Sequence, residues 1–123
     1  MTRAGKPRLV LVVDDDEMIR RLVRAVLEAD ELEVAEARDG VTALHLVSEK
    51  CPAVVVLDIM MPGPDGVEVC RRLDHESVKV VVLTARDDAR LEEECRGAGA
   101  DAFLTKPFSS NELLDLVCEM MPA

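Results

Sequence analysis

The sequence lacks a long apolar run, and it has few basic residues for its many acidic ones. The first apolar run, residues 9–13, is stopped by Asp14, so it is too short for a signal core or a membrane-spanning helix. Lys and Arg number 15 against 25 Asp and Glu, which gives a net charge of −10. Sequence-independent binding to a polyanion needs clustered basic side chains. We therefore expect no direct nucleic acid partner, no membrane partner and a cytoplasmic location.

Paired cysteine motifs are also missing. The 4 cysteines are widely spaced, with no C-x-x-C pair and no histidines at zinc-ligand spacing. Reduced thiols in a cytosolic protein are the expected state. His45 and His75 are expected to be surface residues without an ionisable partner or a metal role.

Short β-rich runs alternate with stretches of helical periodicity along the whole chain. The runs are residues 9–13, 32–35, 53–57, 78–83 and 102–104. The first, third and fourth are nearly continuous in Val and Leu, which is typical of parallel strands covered on both faces. The pattern predicts a doubly wound three-layer α/β fold. We expect one domain over residues 1–123, with residues 1–7 as a disordered tail and no stretch left for an output domain.

Two kinds of local signal refine the helices. In the first helix the apolar residues fall on one face, and Arg20, Arg24 and their charged neighbours are expected on the opposite, solvent face. Asp65 with Glu68, and Ser109 with Glu112, have the spacing of capping boxes.

Four strands are followed by side chains that carry chemistry. Asp14, Asp15 and Asp16 follow the first, Asp58 ends the third, and Thr84 and Lys106 follow the fourth and fifth. In a parallel sheet these positions meet at one edge. Converging carboxylates repel one another unless a cation lies among them. Oxygen ligands without His or Cys select a hard divalent ion, so we expect Mg²⁺, for which Mn²⁺ can substitute.

A hydroxyl and an ammonium opposite such a cation favour a phosphoryl group. A carboxylate can act as the nucleophile and form an aspartyl phosphate. Asp58 is the candidate because it stands alone at the end of a central strand, whereas Asp14 and Asp15 are better placed to hold metal. Each acid could instead be a helix cap or a solvated loop charge, and for Asp16 the helix cap is the preferred interpretation.

Together these residues resemble the receiver domain of bacterial two-component response regulators, of the chemotaxis-regulator type. The resemblance covers residues 8 to about 121 and implies a five-stranded parallel sheet of flavodoxin-like order 2-1-3-4-5, with helices on both faces. It is carried by six motifs in the family's order: residues 12–16, 57–62, 65–66, 82–85, 97–101 and 106–108.

The resemblance implies a role for each acidic residue. Asp58 would take a phosphoryl group from a histidine kinase or phosphotransfer protein. Asp15 would bind Mg²⁺ directly and Asp14 through water, and the backbone carbonyl of Met60 would complete the protein ligands together with Asp58.

It also implies a switch. Thr84 and Lys106 would contact the phosphoryl oxygens, and Phe103 would turn inward as Thr84 moves toward the phosphate, changing an output surface on the fourth helix, fifth strand and fifth helix. Phe103 has a second interpretation, which is simple core packing. The bond between Lys106 and Pro107 is expected to be cis.

Two positions are expected to set the lifetime of the phosphorylated state. The resemblance places Met60 and Arg86 beside the hydrolytic water, and neither side chain can accept a proton from it. Slow self-dephosphorylation is therefore expected.

Two other functions compete with this interpretation. A haloacid-dehalogenase-type phosphatase also uses a strand-end Asp-x-Asp, available here as Asp14 and Asp16, but Met18 stands where that family has Thr or Val. A degenerate receiver could dock without phosphate, although every acceptor, metal, hydroxyl and lysine position is filled. We expect no turnover of external substrates beyond the chain's own phosphorylation and dephosphorylation. The downstream target is either a separate protein or an output domain outside this sequence.

Overall fold

The computed structural model describes residues 8–60, 66–85 and 89–122. These residues form alternating strands and helices: β1 Leu9–Val13, α1 Glu17–Ala29, β2 Glu33–Ala37, α2 Gly40–Lys50, β3 Val54–Asp58, α3 Gly66–Arg72, β4 Lys79–Thr84, α4 Ala89–Gly97, β5 Ala102–Thr105 and α5 Ser110–Met120.

All five strands are parallel and lie in the order β2-β1-β3-β4-β5. The doubly wound fold and its strand order are therefore confirmed. Strands β1, β3 and β4 occupy the centre of the sheet, where long Val and Leu runs are needed to fill both faces. Strand β2 is an edge strand and is less buried.

Side chains alternate between two cores along each central strand. Val10 and Val12 of β1 pack with α1 and α5, through residues such as Leu27. Leu11 and Val13 pack on the other face with residues from α2, α3 and α4. Two helices cover one face of the sheet and three cover the other. With both faces covered, polar groups that bind ligands are expected in the loops at the carboxyl ends of the strands.

Strands β2, β3 and β4 each begin one residue later than the apolar runs indicated, and for β2 and β4 the backbone hydrogen bonds show why. The N–H of Leu32 donates to the carbonyl of Leu27 at 3.2 Å, and the N–H of Val78 donates to Asp74 at 3.0 Å. Both residues are buried, but their amides close turns rather than join the ladder, and apolar content alone does not distinguish these cases.

The helix caps predicted from the sequence are present where the structure describes the capping residues. Ser109 and Glu112 form the reciprocal capping box of α5. Asp16 caps α1 by accepting a hydrogen bond from the N–H of Met18 at 2.9 Å. Asp65 lies outside the described residues. Within the described ranges, no helix has the length and apolar character needed to cross a membrane.

The histidine predictions were partly wrong. His45 is exposed, but its Nε2 lies 3.5 Å from Glu49, one helical turn away. The ring of His75 is half-buried, and its Nε2 lies 2.6 Å from the carbonyl oxygen of Cys70. Gly99, with φ of +110°, leaves room for this ring, since a Cβ there would overlap it.

Candidate functional site

The hydrogen-bond ladder of the sheet continues past the strand ends and positions the site residues. The N–H of Asp14 donates to Ala37 at 3.1 Å, and the N–H of Lys106 donates to Thr84 at 2.7 Å. The backbone just after β1 and β5 is therefore held by the same sheet that holds the core. The site is built on rigid elements, as precise chemistry requires.

Asp58 is the last residue of β3, and it is only 3% exposed. Its Oδ1 accepts a hydrogen bond from the N–H of Met60 at 3.0 Å, which fixes the carboxylate plane. Gly66 allows α3 to begin close against Ile59, because a Cβ at position 66 would overlap the Cα of Ile59. A buried, oriented carboxylate thus ends the central strand.

Burial raises the pKa of Asp58 to about 6, and the nearby charge of Asp14 acts in the same direction. The Met60 N–H and the charge of Lys106 act against this rise. Above that pKa the ionised form prevails, although at a cost in free energy that a cation at the site would relieve.

Lys106 supplies a positive charge to two of the acids. Its Nζ lies 3.0 Å from Asp14 Oδ2 and 3.7 Å from Asp58 Oδ2. These residues are far apart in the sequence. The strand-end rule predicted that they would share one pocket, and the direct ion pair with Asp14 is a finding of the structure. The peptide bond between Lys106 and Pro107 is cis, as expected.

Three carboxylates form a cluster suited to a metal ion. Asp14, Asp15 and Asp58 each offer one oxygen, and these oxygens lie within 4.8 Å of one another. One ammonium cannot balance three carboxylates, and a set of oxygen donors fits Mg²⁺ or Mn²⁺. The residues present therefore fit the predicted metal.

The two neighbouring acids of this cluster differ in their surroundings. Asp14 is fully buried, and its Oδ1 accepts a hydrogen bond from the N–H of Asp16 at 2.9 Å while its Oδ2 contacts Lys106. Asp15 is exposed, so its carboxylate can reach a hydrated ion. The side chain of Asp16 caps α1 and lies outside the cluster.

Two of the remaining predicted residues lie on neighbouring strands. Thr84 is buried at the end of β4, beside β3. Phe103 is half-buried on β5, where the guanidinium of Arg96 from α4 lies 4.6 Å from the ring centre. Met60 is 53% exposed, and its carbonyl remains a predicted ligand. Arg86 lies outside the described residues.

Sequence reasoning missed the contacts of Arg20 and Arg24, which were assigned to the solvent face of α1. Both guanidiniums bond Glu36 of β2, and Arg20 also donates to the backbone carbonyl of Asp14. A glutamate flanked by alanines on a short edge strand was the only sequence signal for this partner, and it does not indicate which helix residue it meets.

Comparison with known proteins identifies close relatives of the chain. Residues 10–118 match the sequence model of the family described as "Response regulator receiver domain". The Response regulator MprA of Mycobacterium sp. (strain KMS) is 46% identical over 110 residues, which are 88% of this chain and 48% of the relative. The chain thus spans about half the length of the curated relatives it matches.

Two solved structures have the same fold over most of both chains. The receiver domain of the Francisella response regulator 1452 is 34% identical, with a TM-score of 0.83, and the match covers 91% of this chain and 94% of that one. The Vibrio cholerae chemotaxis protein CheY4 is 29% identical, with a TM-score of 0.86, over 92% and 98% of the two chains.

Proposed function

Because the chain belongs to the response regulator receiver domain family, we propose that it accepts a phosphoryl group on Asp58 from a histidine kinase or phosphotransfer protein in the cytoplasm. The observation that supports this most is the environment of Asp58. It is buried at a strand end, 3.7 Å from the Lys106 ammonium, within a cluster of three carboxylates. A stability role alone does not explain such an arrangement, because the acids repel one another.

The transfer is a displacement at phosphorus. Asp58 Oδ1 is held by the Met60 N–H, so Oδ2, the oxygen near Lys106, is the nucleophile. Its bond to phosphorus forms as the bond between phosphorus and the donor nitrogen breaks, and that nitrogen keeps the electron pair and takes a proton. Lys106 stabilises charge on the phosphoryl oxygens, and Thr84 at the end of β4 donates its hydroxyl to them.

Asp14, Asp15, Asp58 and the carbonyl of Met60 would hold Mg²⁺ or Mn²⁺. When bound, the ion supplies charge neutralisation for the carboxylates and the phosphoryl group. Asp14 contributes from inside the site, where Lys106 fixes its orientation, and Asp15 contributes from the solvent side.

The signal would leave the site through β4 and β5. Thr84 and Phe103 change position together on phosphorylation, and α4, β5 and α5 form the output surface. Helix α4 is attached to the core through few apolar side chains, chiefly Cys95 and Leu91. A weakly attached helix is easily shifted.

We propose that the chain acts as one receiver domain that modifies only itself. Its signal would pass to a separate downstream protein or to an output domain outside this sequence, since the curated relatives are about twice as long. A phosphatase of the haloacid dehalogenase type is not favoured, because the Asp16 carboxylate that it would use caps α1. A phosphate-independent docking module would not need the complete set of acids around Lys106.

The test is phosphorylation by acetyl phosphate, followed by intact-mass measurement. We expect one phosphoryl group on the wild type with Mg²⁺, none after chelation with EDTA and none on Asp58→Asn. Asp16→Asn is the matched control, because asparagine caps a helix as well as aspartate and phosphorylation should persist. Modification of Asp58→Asn at the wild-type rate would refute the assignment.

A further inference from the structure

Arg20 connects the edge strand of the sheet to the acidic loop. Its Nε donates to Glu36 Oε1 at 2.9 Å, and its Nη1 donates to the backbone carbonyl of Asp14 at 2.8 Å. The Arg20 side chain is 15% exposed and that of Glu36 is 26% exposed. These contacts join α1, β2 and the loop after β1 through one planar guanidinium, whose rigid fork suits two acceptors at once.

The Glu36 end of this connection is firmly anchored. Glu36 Oε2 accepts a second charged hydrogen bond, from Arg24 Nε at 2.6 Å. Burial opposes ionisation of Glu36, but the bonds from Arg24 and Arg20 outweigh it and hold its pKa below the usual range. Glu36 therefore remains an anion at neutral pH and gives Arg20 a fixed support on the sheet.

The other end of the connection fixes the peptide unit between Asp14 and Asp15. This unit is planar, so holding the Asp14 carbonyl also sets the direction in which the chain enters Asp15. The remaining polar groups of Asp14 are already held, by Ala37, by Asp16 and by Lys106. Asp15 itself is exposed, and the described contacts include no comparable support for its carboxylate.

We propose that Arg20 is a positioning residue for the divalent cation, which it serves by fixing the Asp14–Asp15 peptide and thereby the Asp15 carboxylate. This inference rests on the proposed function, since it assumes that the acidic cluster binds Mg²⁺. Arg20 bonds Glu36 and the backbone of Asp14, so it would act on the ion through the loop and not as a ligand. Groups that orient metal ligands in this way commonly change metal affinity by about 10- to 100-fold when removed.

A positioning role and a purely electrostatic role of Arg20 predict opposite changes in metal affinity when Arg20 is removed. A guanidinium near a cation site repels the cation, so removing the charge alone would tighten metal binding. Removing the support of the acidic loop would weaken it. The sign of the change in affinity therefore separates the two roles, and a purely structural role would lower the stability of the fold without changing the affinity of the folded protein.

The experiment is a Mn²⁺ titration followed by electron paramagnetic resonance, without a phosphodonor. Arg20→Met keeps the length of the side chain but removes charge and donors, and Arg20→Lys keeps the charge without the fork. Arg24→Met is the matched control, because Arg24 shares the Glu36 partner and otherwise contacts Glu28 and the carbonyl of Val34. Urea unfolding of each variant gives the folded fraction.

We expect Arg20→Met to bind Mn²⁺ at least about 10-fold more weakly than the wild type, with Arg20→Lys in between. Arg24→Met should weaken binding far less than Arg20→Met, because Arg20 keeps its own bonds to Glu36 and to the Asp14 carbonyl in that variant. In phosphorylation by acetyl phosphate, Arg20→Met should need more Mg²⁺ for its half-maximal rate and recover most of the rate at saturation.

Several results would overturn the inference. One is that Arg20→Met binds Mn²⁺ as tightly as Arg24→Met does, or more tightly. If Arg20→Met does not fold, Arg20→Lys decides, and wild-type affinity in that variant would contradict the role. A wild type that neither binds Mn²⁺ nor accepts phosphate would refute the proposed function itself. A wild type that does both, with equal affinities in Arg20→Met and Arg24→Met, would refute only the role of Arg20.

Discussion

Replacing Asp58 by asparagine should stabilise the metal-free protein at alkaline pH and have no such effect in acid. Burial raises the pKa of Asp58 from 3.8 to about 6. The folded protein therefore binds more protons than the unfolded chain between these two values. The stabilising contribution of the protonated carboxyl is complete below about pH 4 and is lost as the pH rises through about 6.

The size of the effect follows from the shift in pKa. A shift of roughly two units corresponds to about 3 kcal/mol at about 1.4 kcal/mol per unit, and Asp58 is too buried for solvent to screen much of it. Asparagine keeps an oxygen that can accept the Met60 N–H and carries no charge. We therefore expect Asp58→Asn to exceed the wild type by about 2–3 kcal/mol near pH 8, with no excess near pH 4.

Mg²⁺ should cancel most or all of this advantage. Binding at about 100 times the dissociation constant stabilises a folded protein by about 2.7 kcal/mol, and Asp58→Asn lacks one of the ligands. The assay is urea unfolding at about pH 4.5 and about pH 8, with EDTA or with Mg²⁺.

Asp39→Asn is a control with the opposite sign. A backbone hydrogen bond from Thr42 lowers the pKa of Asp39, so its stabilising contribution is present at high pH and is lost in acid. This variant should be slightly less stable than the wild type near pH 8. An Asp58→Asn protein no more stable than the wild type near pH 8 without Mg²⁺, or with a pH-independent difference, would refute the reasoning.

Three further predictions concern other parts of the site. Gly66→Ala should destabilise the fold by about 1–3 kcal/mol, because the added Cβ would overlap the backbone at Ile59. Gly97→Ala should be neutral or stabilising, because a Cβ there meets nothing within 4 Å. Urea unfolding compares the two variants, and equal costs would contradict the account. Lys106→Met should raise the pKa of Asp58 further, because the ammonium opposes the rise; carbon-13 NMR of the carboxyl measures it, and an unchanged or lower pKa would contradict the contact. Met60→Asn should shorten the lifetime of the phosphorylated protein, because an amide can orient water and a thioether cannot; phosphate loss after donor removal tests this, and an equal or longer lifetime would contradict it.

The sheet was predictable because its central strands have an unambiguous pattern. Continuous Val and Leu in β1, β3 and β4 can be satisfied only between two helical layers. The starts of β2 and β4 were not predictable, because Leu32 and Val78 are as apolar as strand residues but close turns. A residue can be buried without joining the hydrogen bonds of the sheet, and its hydropathy indicates only that it is buried.

The acidic cluster and Lys106 were predictable for a topological reason. Residues that directly follow parallel strands meet at one edge whatever the loops do, and the ladder holds Asp14 and Lys106 there. Arg20 was not predictable, because helical periodicity gives the direction of a side chain and not its depth. Its contact with Glu36 depends on how α1 packs on the edge of the sheet.

The most direct test of the account is chemical trapping of the phosphorylated residue. Borohydride reduces an acyl phosphate to an alcohol, so an aspartyl phosphate becomes homoserine, which peptide mass mapping can locate. After treatment with phosphodonor and Mg²⁺, we predict homoserine at position 58, and none when EDTA is present. Homoserine at another position, or its absence from a protein that has gained a phosphoryl group, would contradict the assignment of Asp58 as the acceptor.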